Sequence, residues 1–303
     1  MSWKLIALAP RGVIEAALLA HEDAHDWDPE IVISGSEIAE DKPDDWQLEV
    51  WMDRPPIRRD KAAIAALFGK RAPNLLVEKL PDVDWLTLSQ QGLEPIRAGR
   101  FYVHTPDHPS LAAPGVRDFV IPASQAFGTG QHATTAGCLE MLGAMKARGI
   151  VVRNCADIGT GTGLLAFAAL HLWPRALATA SDIDAVCIDV VLDNAAANGV
   201  AIGAQPGELT MLAADGMEHP LLVARGPYDL IIANILAGPL IDLAPHFAEH
   251  LLPGGHLLLA GLLETQEAQV RRACRRAGLR IAERKVNGDW SILWLRKRAR
   301  PAA

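Results

Sequence analysis

Apolar positions follow two different rhythms along this chain. Near its start, short alternating runs take turns with helical ones: WKLIALA, a helical stretch from Gly12 to about Ala24, EIVISGSEIA, WQLEVWMD, then RRDKAAIAALFG and NLLVEKL. Alternation predicts half-buried strands, and recurrence every three to four residues predicts helices. Strand–helix–strand–strand–helix–strand is the order of a split βαβ, ferredoxin-like α+β module. From Trp85 to Pro109 the period is lost and Pro95, Gly99, Pro106 and Pro109 gather, which predicts a connector.

From Asp118 onward the rhythm is α/β. FVIPAS and a helix from about Thr134 to Ala147 come first, then a strand running into glycines, VRNCADIG. LLAFAALHLW, ALATASDI, AVCIDVVLDNAAANG, LTMLAAD and YDLIIANIL continue as helix, strand, helix, strand and strand. The helix PLIDLAPHFAEHLL is expected to stop at Pro253-Gly254-Gly255, before the strand HLLLAGL. A last helix, TQEAQVRRACRRAG, leads to LRIAERKV and WSILWLR, joined by Asn287-Gly288, a strong hairpin signal. The pattern predicts a mostly parallel, doubly wound sheet that ends in an antiparallel hairpin.

Composition narrows the class without naming the chemistry. With 303 residues, half of them hydrophobic, the chain can bury more than one core. Cys138, Cys155, Cys187 and Cys274 are far apart, so neither a disulfide framework nor a zinc site is expected and a cytoplasmic location is. No apolar run reaches the length of a membrane span. Residues 1–90 carry 17 acidic and 10 basic side chains, which equals the whole net charge of −7. That excess fits a basic protein partner for the N-terminal module, or a solvated acidic surface, and argues against nucleic-acid binding there. Eight tryptophans are scattered without basic–aromatic interleaving, so no direct nucleic-acid contact is expected.

Two glycine-rich loops carry the candidate chemistry, AFGTGQHATT (126–135) and DIGTGTG (157–163). The second lies where a strand turns into a helix, the place where open α/β sheets bind nucleotide-like ligands. Gly161, Gly163 and Ala166 fit G-x-G-x-x-A, and Asp182 lies about 20 residues on, where a ribose-binding acid belongs. NAD and S-adenosyl-L-methionine (SAM) both fit that pattern. Three features favour SAM. Asp157 precedes the first glycine, where a carboxylate suits a cationic amino-acid tail better than a pyrophosphate. Asn234 ends an apolar strand, with its amide expected to face an attacking amine. The terminal hairpin adds a strand that dehydrogenases generally lack.

AFGTGQHATT, DIGTGTG, ASDID and ANILAGPL, in that order, resemble the PrmA family, bacterial methyltransferases that act on the stalk-base protein eleven of the large ribosomal subunit. The resemblance covers nearly the whole chain. Ala133 stands where relatives usually carry proline, and Ala123-Ser124-Gln125 where many read D-P-G. It implies a class I SAM-dependent methyltransferase domain over 110–303, with a Rossmann-like, mostly parallel sheet, preceded by a ferredoxin-like substrate-recognition domain over 1–84 and a linker over 85–109. It also implies methyl transfer to lysine or N-terminal amines of that basic ribosomal protein, by a chain expected to act as a monomer.

By the same resemblance, Thr135, Gly159, Asp182 and Asn234 match SAM-contacting positions, with Asp182 on the ribose hydroxyls and Asp184 the alternative acid. Gly161 and Gly163 complete the glycine loop, and Asp157 orders it or meets the methionine amine. Asp215 is a candidate for the adenine side. Phe127, Gly128 and Thr129 form a lid that runs into a helix capped by Thr134 or Thr135. Asn234 is the expected amine-positioning residue; His132 is either a general base or the residue that orders its own loop. A non-catalytic SAM-binding module on the ribosome, or another protein substrate, remains open. His21-Glu-Asp-Ala-His25 fits H-E-x-x-H, but no third ligand is evident and no metal is expected.

Overall fold

The computed structural model describes residues 3–22, 27–28, 31–38, 44–69, 72–79, 94–111, 113–122 and 131–299. The chain divides into two compact units, Met1–Leu88 and Ser89–Ala303.

The first unit has the expected element order: β1 (Trp3–Pro10), α1 (Arg11–Glu22), β2 (Val32–Glu37), β3 (Asp45–Met52), α2 (Arg58–Leu67) and β4 (Leu75–Lys79). Its four strands lie in the order β2-β3-β1-β4, and every neighbouring pair is antiparallel, which is the split βαβ arrangement. Alternation sends Leu5, Ala7, Leu48 and Val50 to the face that Ile14 of α1 and Ile64 of α2 cover. Gly35 is small by need, because a Cβ there would meet side chains of Ile14 and Leu18 at 2.9 Å. His21 packs its ring edge-on against Trp27, at 4.7 Å, while His25 lies outside the described residues.

The second unit opens with a small sheet of β5 (Ile96–Ala98), β6 (Phe101–His104) and β7 (Arg117–Val120). Residues 96–104 therefore form a strand pair where the sequence had suggested a connector. Ile96, Ala98, Phe101 and Val103 are buried, and these strands are too short for their alternation to stand out between Pro95 and Pro106. Residues 85–93, the start of that expected connector, lie outside the described ones.

The main sheet alternates with helices: α3 (Gln131–Ala147), β8 (Asn154–Ile158), α4 (Leu164–Leu172), β9 (Leu177–Asp182), α5 (Val186–Asn198), β10 (Leu209–Ala213), α6 (Pro220–Arg225), β11 (Tyr228–Asn234), α7 (Ala237–His250), β12 (Leu251–Leu263), α8 (Glu267–Arg276), β13 (Leu279–Asn287) and β14 (Trp290–Lys297). The seven strands lie in the order β10-β9-β8-β11-β12-β14-β13. The first five run parallel, and β14 is antiparallel to both neighbours, so the Asn287-Gly288 turn closes the expected hairpin. Helix α3 starts at Gln131, three residues before the expected start, so Thr134 and Thr135 lie within its first two turns and are not its caps. The next helix boundary also shifts: α7 ends at His250, and β12 begins at Leu251, with an irregularity in its pairing before His256.

Helix α4 is the most buried helix element described in this unit's first core. Eight of its nine residues are buried, consistent with a helix that is apolar all round. Burying each Leu or Phe there stabilises the fold by about 1.5–3 kcal/mol. The two faces of the sheet carry separate cores, one around Phe167, Leu139 and Trp294 and one around Tyr228, Phe247 and Leu257.

Candidate active site

Strand order sets the site. β8 sits between β9 and β11, and Ile158 is level with Ser181 on one side and Ala233 on the other. One residue further along each strand come Gly159, Asp182 and Asn234. The chain leaves β8 towards β9 and later returns to its other side with β11, so this is the switch point where open α/β sheets form a ligand crevice.

The glycine loop is built from backbone that only glycine adopts freely. Gly159, Gly161 and Gly163 have φ values of 68°, 57° and 84°. At Gly159 a Cβ would also approach Cγ2 of Ile235 to 2.2 Å, and at Gly163 one would meet the Phe167 ring at 2.7 Å. The loop satisfies its own donors. Gly159 and Thr160 donate their amides to the Ser181 carbonyl, Gly163 donates to Thr160, and Gly161 donates to Oδ2 of Asp182 at 2.8 Å.

Asp157 completes that closure. It is 2% exposed, and its Oδ2 accepts both the Thr160 hydroxyl at 2.6 Å and the Ala166 amide at 3.1 Å in the first turn of α4. Burial pushes its carboxyl up to about 6, against the pull of those two hydrogen bonds. A dinucleotide fold gives these same donors, loop amides and helix N-terminus, to a pyrophosphate. Here the amides of Gly159, Thr160, Gly161 and Ala166 are engaged by Ser181, Asp182 and Asp157, which disfavours NAD and suits a ligand without phosphates. Of the two expected roles for Asp157, its contacts are those of the loop-ordering one.

The two acids after β9 separate in the same way. Asp182 is half-buried, its carboxylate fixed by Gly161 and by the Asp184 amide, and part of it faces the crevice. Asp184 is exposed, and its Oδ1 accepts the Val186 amide at the start of α5. Between them Ile183 is 71% exposed, and Leu236 beyond Asn234 is 73% exposed. Exposed apolar side chains at a crevice offer a surface for a flat ring, and sequence reading gave no signal that singled these two out. Asp215 is exposed after β10, whose end is held by the Ala214 amide on the Asp182 carbonyl.

Asn234 is half-buried at the end of β11, and its side chain has no hydrogen-bond partner among the described residues. Its neighbour Ile235 is held from two sides, since a Cβ on Gly261 (φ 83°) would lie 2.3 Å from the Ile235 carbonyl oxygen. The main chain after Asn234 therefore passes against bare backbone, which fixes where its amide and the next carbonyls stand.

Phe127, Gly128 and Thr129 lie outside the described residues, as does the His132 side chain. Both ends of that loop are anchored. Before it, Asn198 of α5 holds both the amide and the carbonyl of Val120 at 2.8 Å. After it, Asn287 of the terminal hairpin donates to the Ala133 carbonyl at 2.9 Å. Thr134 and Thr135 are buried in α3. Asn194, Asn198 and Asn287 are supports that the sequence did not disclose, because their partners are backbone groups far away in the chain; Asn194 donates to the Thr162 carbonyl. Among the described residues no cluster of three or more metal-ligating side chains occurs, and no helix is long and apolar enough to cross a membrane.

This geometry agrees with the comparisons to known proteins. The family profile for ribosomal protein L11 methyltransferase (PrmA) matches residues 44–298. The chain is 42% identical over 237 residues to a ribosomal protein L11 methyltransferase of Agrobacterium fabrum, covering 77% of this chain and 78% of that one. It is 45% identical over 218 residues to the protein of the same name from Rhizobium meliloti, covering 72% of each. The crystal structure of a ribosomal protein L11 methylase from Lactobacillus delbrueckii subsp. bulgaricus superposes with a TM-score of 0.55 at 28% identity, over 67% of this chain and 98% of that one. With its strand order, its closed glycine loop and a profile match from residue 44 to residue 298, the chain belongs to the ribosomal protein L11 methyltransferase (PrmA) family.

Proposed function

We propose that this protein transfers methyl groups from SAM to lysine or N-terminal amines of ribosomal protein L11, as a cytoplasmic enzyme. The observation that carries the reading is the pairing of Asp182 and Asn234 on either side of a glycine loop whose phosphate-binding donors are already engaged. When bound, SAM supplies an electrophilic methyl group on a cationic sulfur. Asp182 would hold the ribose hydroxyls, Ile183 would pack on the adenine, and the buried Thr135 would stand near the methionine end.

The chain's own residues then have one task, to present a neutral amine in line. A free lysine has a pKa near 10.4, so only about one in a few thousand is neutral at pH 7. Burial in the crevice lowers that pKa by desolvation. Oδ1 of Asn234 and the carbonyls of Ile235 and Leu236 accept the amine's hydrogens, and so aim its lone pair without an acid–base residue. The proton released by the methylated amine passes to water. Holding reactants in such a geometry is worth several kcal/mol of barrier. In this scheme His132 orders its loop.

The acidic N-terminal unit selects the basic substrate. The deciding experiment is the intact mass of L11 after incubation with SAM and this protein, beside Asn234→Ala. Methyl-sized increments with the parent chain and a large loss with Asn234→Ala are expected, with SAM binding preserved by calorimetry. Unchanged rates in the variant would remove Asn234 from the mechanism. No increments despite SAM binding would point to another protein substrate.

A further inference from the structure

Residues 271–298 carry ten basic and two acidic side chains, in a chain whose net charge is −7. The fold gathers that excess at one edge of the sheet. Arg271, Arg272 and Arg275 of α8, with Arg280 of β13, line an open cleft of about 470 Å³, whose floor is Leu279, Ile281 and Leu295. Arg280 stands directly opposite Arg296 in the β13–β14 pairing, a like-charge pair that costs stability unless something anionic covers it.

Internal carboxylates quench only part of this charge. Arg271 shares the buried Glu267 with Arg284, and Arg280 donates to the Arg275 and Leu279 carbonyls. The side chains of Arg272, Arg275, Arg276 and Arg298 have no hydrogen bond or ion pair among the described residues. Nor is the cleft part of the cofactor crevice. β14 runs antiparallel to β12, with Trp290 beside Leu263 near the crevice end and Arg296 beside His256 at the other end. The arginines thus lie at the opposite end of the sheet from Asn234, which is level with Ala260.

We propose that this arginine cleft binds the phosphodiester backbone of RNA. Arginine presents a planar fork that grips phosphate oxygens in pairs, and every cation lining the cleft is an arginine. Four charges spread over a helix and a strand suit a polyanion better than one small phosphate. The apolar floor beneath guanidinium planes suits the alternation of base and phosphate in RNA, whereas a run of carboxylates would leave that floor bare. The sequence alone pointed away from nucleic acid because these residues are dispersed over two elements and lack interleaved aromatics. The inference goes beyond methyl transfer and does not depend on it.

The test is fluorescence anisotropy of a labelled RNA hairpin with the full chain and no SAM, between about 50 and 200 mM salt. Binding that weakens steeply with salt is expected, with log Kd rising by roughly 3 per log unit of salt, as for three or four phosphates. Arg272→Glu combined with Arg275→Glu should weaken it at least about tenfold and lower the slope by roughly 2. Arg175→Glu, exposed ahead of β9, should leave it unchanged. Circular dichroism and SAM calorimetry establish that the double variant is folded. Undiminished RNA affinity in the double variant would overturn the proposal, as would tighter binding of a labelled polyglutamate peptide than of the hairpin.

Discussion

Asp182, the last residue of β9, holds Gly161 in place: its Oδ2 accepts the Gly161 amide at 2.8 Å while its Oδ1 accepts the Asp184 amide at 3.1 Å. One carboxylate thus shapes the glycine loop, and in the proposed function it would also hold the ribose. Asp182→Ala should weaken SAM binding about 10–100-fold, the worth of hydrogen bonds to a charged group, and Asp182→Asn should do so less. Calorimetry with SAM checks this; equal affinities in all three proteins would take Asp182 off the cofactor.

Gly159 and Gly261 approach Ile235 from two directions, and the consequences of filling them should differ. A Cβ at residue 159 meets the Ile235 side chain, while one at residue 261 meets the Ile235 backbone at 2.3 Å. Both substitutions also force alanine to a positive φ, which costs on the order of 1 kcal/mol. Ile235→Ala should therefore recover part of the stability lost in Gly159→Ala and none of that lost in Gly261→Ala. Urea melts of the two double variants decide it.

Asn198 joins α5 to β7 through two side-chain hydrogen bonds to Val120, and a third returns to the Asn194 carbonyl within α5, all at 2.8 Å. It is only 9% exposed, so removing its amide leaves those backbone groups poorly satisfied. Asn198→Ala should cost about 2–4 kcal/mol in denaturant unfolding. A loss below 1 kcal/mol would mean that water replaces the amide.

Two buried groups should oppose each other in acid. Burial lowers His256 to about 4 and leaves its Nδ1 to accept from Trp294. The native state resists protonating it, so its contribution is intact above pH 6.5 and is lost as pH falls towards 4. Burial raises Asp157 to about 6, so the native state resists ionising it; that penalty is absent below its ordinary value and complete above 6. Each effect is worth roughly 3 kcal/mol at most. His256→Gln should flatten the loss of stability between pH 6.5 and 4, and Asp157→Asn should steepen it. Denaturant melts across that range give both slopes, and a slope unchanged by either variant would refute its assignment.

Substrate selection by the acidic unit predicts a KM effect without a cofactor effect. Glu37 and Asp53 are exposed on the first unit. Glu37→Lys with Asp53→Lys should raise KM for L11 several-fold and leave SAM affinity unchanged. If KM stays constant at low and at moderate salt, the acidic excess serves solubility.

The sequence by itself determined the repeating parts of this protein. The order of strands and helices, the hairpin at Asn287-Gly288 and the glycine loop between Asp157 and Gly163 were legible because each rests on local periodicity or on residues that few backbones tolerate. The places of Asp182 and Asn234 at strand ends were legible because each closes an apolar run, and strand ends are where α/β sheets place polar chemistry. Tertiary structure decided what depends on contacts between distant positions. It turned residues 96–104 from an expected connector into strands, since their burial comes from α3 and α4 and not from any pattern within four residues. It gave Asp157 to Thr160 and Ala166, and Asp184 to α5, where the sequence could rank these acids only by spacing. It recruited Asn194, Asn198 and Asn287 as supports, because a side-chain amide can reach any backbone group that folding brings within about 3 Å. It also gathered arginines of one helix and one strand into a single cleft. Local rules specify which elements form; only packing specifies which polar groups finally face one another.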